Sequence, residues 1–452
     1  MTSEMDNSIM YDRIVGLHSL VRLDSGQMVP AINLDNAATT PPFIDVAEEI
    51  HDKLHYYGSI GRGKGQKSEI SSRVYTNGRD IIKDFAGANH DKYTAIYVNG
   101  TTDGINKLAS ALVTSRNDIV LTTRMEHHAN DLPWRERCRT VYADVDESGR
   151  LRVGDIECLL KRLCGKIKLV SVTAASNVTG YVNDVHEIAK LAHRYGAQIV
   201  VDGAQIVAHR GFSMLGQHED QDIDYFIFSA HKMYSPYGGG VLVGLKDVLD
   251  KRLPTFYGGG MVERVADRDV EFSPSPDRYE AGSPNYPGVV GMLKSMQILK
   301  QVGFERIKEH EQVLLKMAIS ALREIPSVML YGDCDNIDDR VGILTFNLKN
   351  MNDDEVANRL AGLWAIAVRH AKFCAHPYVD RLLRFVDNAT SGCITHNGMV
   401  RISFGIYNTE QDVHALVHAV EELSRQLGSV DAVPAMARVT SALPMRQPND
   451  RG

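Results

Sequence analysis

The chain has 452 residues, of which 44% are hydrophobic and 24% charged, proportions of a globular protein with room for two or more domains. A net charge of −7, with no basic stripe carrying interleaved aromatics, excludes nucleic acid or an anionic membrane as a bulk partner. Six cysteines (138, 158, 164, 334, 374 and 393) without CxxC spacing exclude a zinc ribbon, a dithiol motif and a disulfide scaffold; no apolar run nears the ~20 residues of a membrane span, and residues 1–10 lack a leader pattern, so a cytoplasmic setting is expected.

In chain order, residues 21–32 read as a short hairpin around Ser25-Gly26. Asp35-Asn36-Ala37-Ala38-Thr39-Thr40-Pro41-Pro42 forms a tight turn before a helix over 45–57. Residues 58–72 are glycine-rich and basic and read as a mobile loop, with an anion-binding loop as the alternative; a helix follows over 71–86. A strand at 94–98 leads into Asn99-Gly100-Thr101-Thr102 and a helix to about 113. That is a phosphate seat or an ordinary threonine N-cap, and spacing does not choose between them. A strand at 119–122 leads into Glu126-His127-His128-Ala129-Asn130. Adjacent histidines diverge, and no metal-ligand spacing accompanies them, so no metal site is expected.

Further strands at 168–174 and 198–201 flank a helix over 185–195; the second ends at Asp202, whose carboxylate either holds a pyridine nitrogen in its protonated form or caps the next turn. Residues 225–228 form another strand, followed by Ser229, His231 and Lys232, a glycine turn at 238–240 and a strand at 241–243. A lysine just past a strand end sits where an α/β sheet opens into its ligand crevice, and partial desolvation there makes a neutral, nucleophilic amine suited to Schiff-base chemistry. Taken alone it reads as a solvated surface lysine. The strand–helix alternation over 93–244 predicts an α/β domain with a mostly parallel sheet. Residues 273–288 read as a proline-punctuated loop and 288–324 as helical. Strands at 341–348 and 400–404 alternate with helices at 353–361 and 410–427, as in a smaller α+β domain, and 428–452 read as a loose tail. The expected division is 33–301 for the large domain and 11–32 with 302–427 for the small one.

Taken together, Asp-Asn-Ala-Ala-Thr-Thr at 35–40, Gly-Thr-Thr-Asp-Gly-Ile-Asn at 100–106, Glu-His-His-Ala-Asn at 126–130, Asp-Gly-Ala-Gln at 202–205, Ser-Ala-His-Lys at 229–232, Tyr-Glu-Ala-Gly-Ser-Pro-Asn at 279–285 and Arg-Ile-Ser-Phe-Gly-Ile-Tyr-Asn-Thr at 401–409 resemble the class V, fold-type I pyridoxal-phosphate enzymes of the cysteine desulfurase and selenocysteine lyase family. The resemblance runs from about residue 34 to 427. It implies a large domain with a mostly parallel seven-stranded sheet, a smaller α+β domain, and pyridoxal 5'-phosphate as cofactor.

By that resemblance, Lys232 carries the cofactor as a Schiff base and moves the substrate's Cα proton. Asp202 pairs with the pyridine nitrogen, Gln205 with the phenolic oxygen, and His127 stacks on the ring. Thr101, Thr102, Ser229 and His231 hold the phosphate. The family builds its site at a homodimer interface, so Ser283 reaches the partner chain's phosphate. Asn177 and Arg401 grip the substrate, with Arg369 as a second candidate for the carboxylate. Cys374 stands in an Arg-(four residues)-Cys-Ala-x-Pro setting, Arg369 to Pro377, where related enzymes carry a nucleophilic cysteine, and Lys372 and His376 are near enough in sequence to depress its pKa. One departure is Ala371-Lys372-Phe373, where many relatives have Gly-His-His; the missing glycine implies a stiffer loop.

The activity implied is removal of sulfur from L-cysteine, giving alanine and a persulfide on Cys374, with a sulfur-acceptor protein as possible partner. The alternatives are a cysteine or cystine C–S lyase, a selenocysteine lyase, an epimerase or an aminotransferase on the same cofactor, and a cofactor-less sulfur-relay or scaffold protein.

Overall fold

The computed structural model describes residues 12–61, 63–389 and 396–430; Cys393 and the tail beyond residue 430 lie outside them. Near the N-terminus, β1 (Leu20–Arg22) and β2 (Met28–Pro30) form the expected hairpin, followed by β3 (Ile32–Asn33).

The site is carried by a seven-stranded sheet. In chain order its strands are β4 (Tyr93–Val98), β5 (Ile119–Thr123), β6 (Arg139–Ala143), β7 (Ile167–Thr173), β8 (Gln198–Asp202), β9 (Tyr225–Ser229) and β10 (Gly240–Leu245), and in space they run β4-β10-β9-β8-β7-β5-β6. The pairs β9–β8, β8–β7, β7–β5 and β5–β6 are parallel; only β10 runs against its two neighbours. These strands are continuous Val/Ile/Phe/Tyr runs rather than alternating ones, because helices cover both faces of the sheet. β4, β5 and β9 are buried at every position. The topology brings the C-terminal ends of β4, β5, β7, β8 and β9 to one edge, where an open α/β sheet places its ligand crevice.

A second, antiparallel sheet holds β13 (Val328–Tyr331), β14 (Ile343–Leu348), β16 (Arg369–Ala371) and β17 (Met399–Ser403) in the order β13-β14-β17-β16. Helices Phe304–Arg323, Asp353–Trp364 and Glu410–Val430 contribute to its core, which includes Leu315, Phe346, Leu360, Ile402 and Leu416, all essentially without exposed surface. The chain from β3 onward stays with this sheet: β3 pairs in parallel with β15 (Ile366–Ala367), and Asp35 bridges to Ser403. The DNAATT segment is thereby laid between the two sheets.

Several expectations need correction. The helix expected from 71 begins at Gln66, so half of the supposed mobile loop is helical; Gly65, at φ 111°, ends the loop and Ser71 is buried in the helix. The helical stretch after the proline-rich loop divides into Tyr286–Val302 and Phe304–Arg323 at Gly303, whose φ of 88° breaks the first helix. A hairpin of β11 (Val262–Ala266) and β12 (Asp269–Phe272) and a helix His376–Ala389 were not anticipated. The last helix runs to Val430, into the stretch read as tail.

Candidate active site

Five strand ends converge on a cavity of about 520 Å³. After β4, Gly100 adopts φ 149° and the helix Thr101–Leu112 begins; the Thr101 N–H donates to Ser229 Oγ (2.8 Å), and the two hydroxyls lie 2.8 Å apart. A Cβ on Gly100 would approach Ser229 Oγ to 3.1 Å, so the glycine lets the helix start close against the β9 end. After β8 comes Asp202, buried, with Oδ1 accepting the Ala204 N–H (2.9 Å). Gln205 Nε2 donates to Ala37 O (2.8 Å), while its Oε1 is buried without a partner. After β9 comes Lys232, on a single 3-10 turn, Ala230–Lys232, whose His231 carbonyl is held by the Thr40 N–H (3.0 Å) and the Thr39 hydroxyl (3.0 Å).

Enclosure sets the charge states. Burial pushes the Lys232 ammonium down to about 8, opposed by Asp202 and reinforced by Arg401. It raises the Asp202 carboxyl above its ordinary value, against the Ala204 hydrogen bond and the Lys232 charge. His127 is driven down to about 3, mainly by burial and then by Lys232. Its ring is therefore neutral, and because Nδ1 accepts the Ala129 N–H (3.0 Å), its one proton sits on Nε2. His231 falls to about 4 for the same two reasons. Arg401, 3% exposed, is lowered to about 10 by burial, with Asp35 pulling the other way; it stays a cation near neutrality.

Opposite the lysine, β16 and the helix at 376 are joined by a strap, residues 371–375, that carries the thiol. Cys374 is exposed and lines the same cavity as Lys232. It also lines a neighbouring, more open cavity of about 750 Å³ that reaches out past Leu132 and Arg137. The strap is strained: Ala371, Phe373 and Cys374 have φ of 81°, 48° and 53°, a left-handed region that non-glycine residues occupy only when their surroundings impose it. The surroundings do so here. Asp353 accepts the Ala371 N–H (2.9 Å), Asn177 Nδ2 donates to Phe373 O (2.8 Å), the His128 N–H donates to Cys374 O (2.7 Å), and the Arg401 guanidinium lies 5.0 Å from the Phe373 ring centre. Ala371 stands where a glycine was noted as missing, so the stiffening expected from sequence has a location.

Of the residues singled out from sequence, Thr101, Thr102, His127, Asn177, Asp202, Gln205, Ser229, His231, Lys232, Arg369, Cys374 and Arg401 all line the one cavity. Ser283 does not; it lines a separate cavity of about 220 Å³ with Tyr97, Asp103 and Phe256. The two groups expected to serve the thiol have other partners. Lys372 is ion-paired with Asp380 (2.7 Å), and the His376 ring packs edge-on against His128 at 4.6 Å. Asn177 gives one of its two amide hydrogens to the strap while lining the cavity.

Two residues were passed over although they sit inside quoted motifs. Glu126, buried and pushed up to about 8 by desolvation, accepts from Thr123 (2.6 Å), Asn130 (2.7 Å) and the Thr173 N–H (3.2 Å), tying the His127 turn to β7. Asp35 joins both arginines of the cavity, Arg401 at 3.0 Å and Arg369 at 3.3 Å. Among the described residues no His/Cys/Asp/Glu cluster suited to a metal occurs, and no helix is long and apolar enough to cross a membrane.

A lysine, a carboxylate and a helix start gathered at one edge of a doubly covered sheet define a class, and the sequence comparison agrees: residues 32–416 match the aminotransferase class-V family, to which the chain belongs. Within it, the chain is similar to a protein named cysteine desulfurase from Haloferax volcanii (34% identity, covering 87% of this chain and 89% of the relative) and to one named probable cysteine desulfurase from Halalkalibacterium halodurans (32%, 89% and 95%). Among solved structures it is similar to a cysteine desulfurase of Thermococcus onnurineus (TM-score 0.79, 29% identity, 88% of this chain and 95% of that one) and to one of Escherichia coli (TM-score 0.78, 26%, 93% and 99%).

Proposed function

We propose that the protein is a pyridoxal-phosphate-dependent cysteine desulfurase that works as a homodimer, converting L-cysteine to L-alanine and leaving the sulfur as a persulfide on Cys374. The observation that carries this is the placement of one enclosed amine, Lys232, and one exposed thiol, Cys374, in the lining of a single cavity.

The residues present fit the cofactor. Asp202 is a buried carboxylate with one backbone hydrogen bond and no ion-pair partner among the described residues, a site that a protonated ring nitrogen complements. Gln205 has a buried polar atom left over, and the helix start at Thr101–Thr102, with the Thr101 and Ser229 hydroxyls beside it, suits a phosphate. His127 offers a neutral flat ring. Pyridoxal phosphate bound there would supply an electron sink that weakens bonds at the substrate's Cα and Cβ.

The chain's own groups then have definite tasks. Lys232 takes the proton from the substrate Cα and returns it. Arg401, which lines the cavity, holds the α-carboxylate. The Cys374 thiolate attacks the substrate sulfur: an S–S bond forms as the Cβ–S bond breaks, the electron pair goes to Cβ, and alanine leaves once Cβ and Cα are reprotonated. Ser283 lies away from its own chain's cavity, and in the dimer it serves the partner's site. The thiol's outward cavity admits a sulfur acceptor.

The test is a product assay on purified protein with cysteine, cystine and selenocysteine, with and without a reductant. With the reductant present to release the persulfide sulfur, alanine and sulfide in equal amounts from cysteine are expected, from a protein absorbing near ~420 nm. No alanine with cofactor bound would sink the reading. A second expectation concerns pH. Free Lys232 is nucleophilic only when neutral, and its pKa is pushed down to about 8. Cofactor uptake by the stripped protein, followed by stopped-flow absorbance, should therefore accelerate as pH rises through about 8 rather than through the ordinary lysine range.

A further inference from the structure

β4 is the outermost strand of the seven-stranded sheet, so alternate backbone groups along it face away from β10 with no strand to meet them. An ion pair takes that strand's place. Glu280 Oε1 accepts the Tyr97 N–H (2.7 Å), and Arg79 Nη1 donates to Ala95 O (2.7 Å). The two side chains also grip each other twice, Nη1 to Oε1 at 2.7 Å and Nη2 to Oε2 at 2.9 Å, and the Tyr75 hydroxyl donates to Oε2 (2.7 Å). They are only 12% and 10% exposed, and the guanidinium lies 5.1 and 4.6 Å from the ring centres of Tyr75 and Tyr97. A forked, enclosed pair of this kind imposes one geometry, and removing either member leaves the other's charge buried and uncompensated.

This clasp fastens a short segment. Glu280 stands at one end of it; at the other, Asn285 donates Nδ2 to Tyr237 O (2.9 Å) and accepts the Gly288 N–H (3.1 Å). Between them Ala281, Gly282 and Ser283 are exposed, with the Gly282 N–H bonded to Gly259 O (2.9 Å). Neither Arg79, Glu280 nor Ser283 lines the cavity of its own chain's Lys232. We propose that Arg79 and Glu280 are positioning residues that act across the dimer: they hold residues 281–284 on the sheet's edge so that Ser283 meets the cofactor phosphate in the partner subunit. This rests on the reading of the protein as a homodimer in which Ser283 serves the partner's site. The competing account is local: Tyr97 lies four residues before Thr101, so a slack clasp would loosen the helix start of its own chain.

The test uses full-length dimers, stripped of cofactor and titrated back with pyridoxal phosphate. Absorbance near ~420 nm reads the sites that keep Lys232. Glu280→Gln homodimers should bind about tenfold more weakly than the parent, the usual scale for losing a group that orients a ligand-holding residue. Two mixed dimers, each isolated through a different tag on either chain, decide where the effect acts. Lys232→Ala paired with Glu280→Gln leaves one lysine-bearing site, in the Glu280→Gln chain, completed by an intact clasp; it should bind like the parent. Lys232→Ala/Glu280→Gln paired with the parent chain leaves a lysine-bearing site in an unaltered chain, completed by a broken clasp; it should bind about tenfold more weakly. Glu280→Gln should also weaken Ser283→Ala no further, because the clasp works through that hydroxyl. The reverse pattern in the mixed dimers, no loss in Glu280→Gln, or additive losses with Ser283→Ala would overturn the proposal. Arg79→Lys, which keeps the charge but loses the fork, carries the same pairings should Glu280→Gln fold poorly. A parent that sediments as a monomer would strike the homodimer reading and the clasp's role with it, whereas a dimeric parent showing the reverse pattern strikes the clasp's role alone.

Discussion

Replacing Cys374 with serine is expected to lower alanine release from free cysteine at least about 1,000-fold while leaving the bound cofactor's absorbance unchanged, since a hydroxyl of ordinary pKa is a far poorer nucleophile toward sulfur than a thiolate. The cofactor should be indifferent because the side chain lies on an exposed strap and makes no contact with Asp202, Gln205 or the Thr101 helix start. The serine also preserves the backbone that holds the strap through the Cys374 carbonyl. A lyase or epimerase on the same cofactor would keep most of its rate, so single-turnover alanine formation by the variant separates the two chemistries. A variant within tenfold of the parent would contradict the persulfide route.

The Lys232→Ala variant should lose about 10,000-fold or more in turnover, because the proposed function makes one side chain both the covalent anchor and the base at Cα. It should not be less stable near neutrality. Lys232 has a folded pKa of about 8, below its unfolded value of ~10.4, so the fold disfavours the cation. That disadvantage is present in full below pH 8 and fades as pH rises from about 8 to ~10.4, where the unfolded chain still binds the proton and the native one does not. Removing the amine removes the penalty at neutral pH. Thermal unfolding of the cofactor-free proteins at pH 7 should give the variant an equal or higher midpoint; a clear drop would show that the lysine stabilises its surroundings.

Much of the site was readable because strand ends announce themselves. Apolar runs stopping at Thr101, Asp202 and Ser229 point to one edge of an α/β sheet by topology alone, and the structure brings them there. What was not readable depends on contacts between distant segments. Asp35 looks like part of a turn until β3 and β17 place it between Arg401 and Arg369, some 330 residues later in sequence. Glu126 was overshadowed by the two histidines beside it, and nothing in the polar run Thr122 to His128 marks it as buried. The hairpin at 262–272 was missed because its exposed, charged strands lack a buried face. The helix at 376–389 was signalled by Tyr378, Val379, Leu382 and Leu383, which share one face, but Pro377 near its start read as part of a motif. Sequence could not reveal that the Asn177 amide also reaches a carbonyl, that of Phe373, on the strap.

The thiol segment is fastened on both sides of a seam. Asp353 fixes its beginning from the antiparallel sheet's helix, whereas Asn177 and His128 fix its far half from loops of the seven-stranded sheet. A sulfur atom so suspended reports the spacing of its two moorings. Any protein that grips the outer face of the helix at 376–389 and nudges one mooring against the other could speed or slow sulfur transfer from a distance, touching neither the vitamin nor the amino acid.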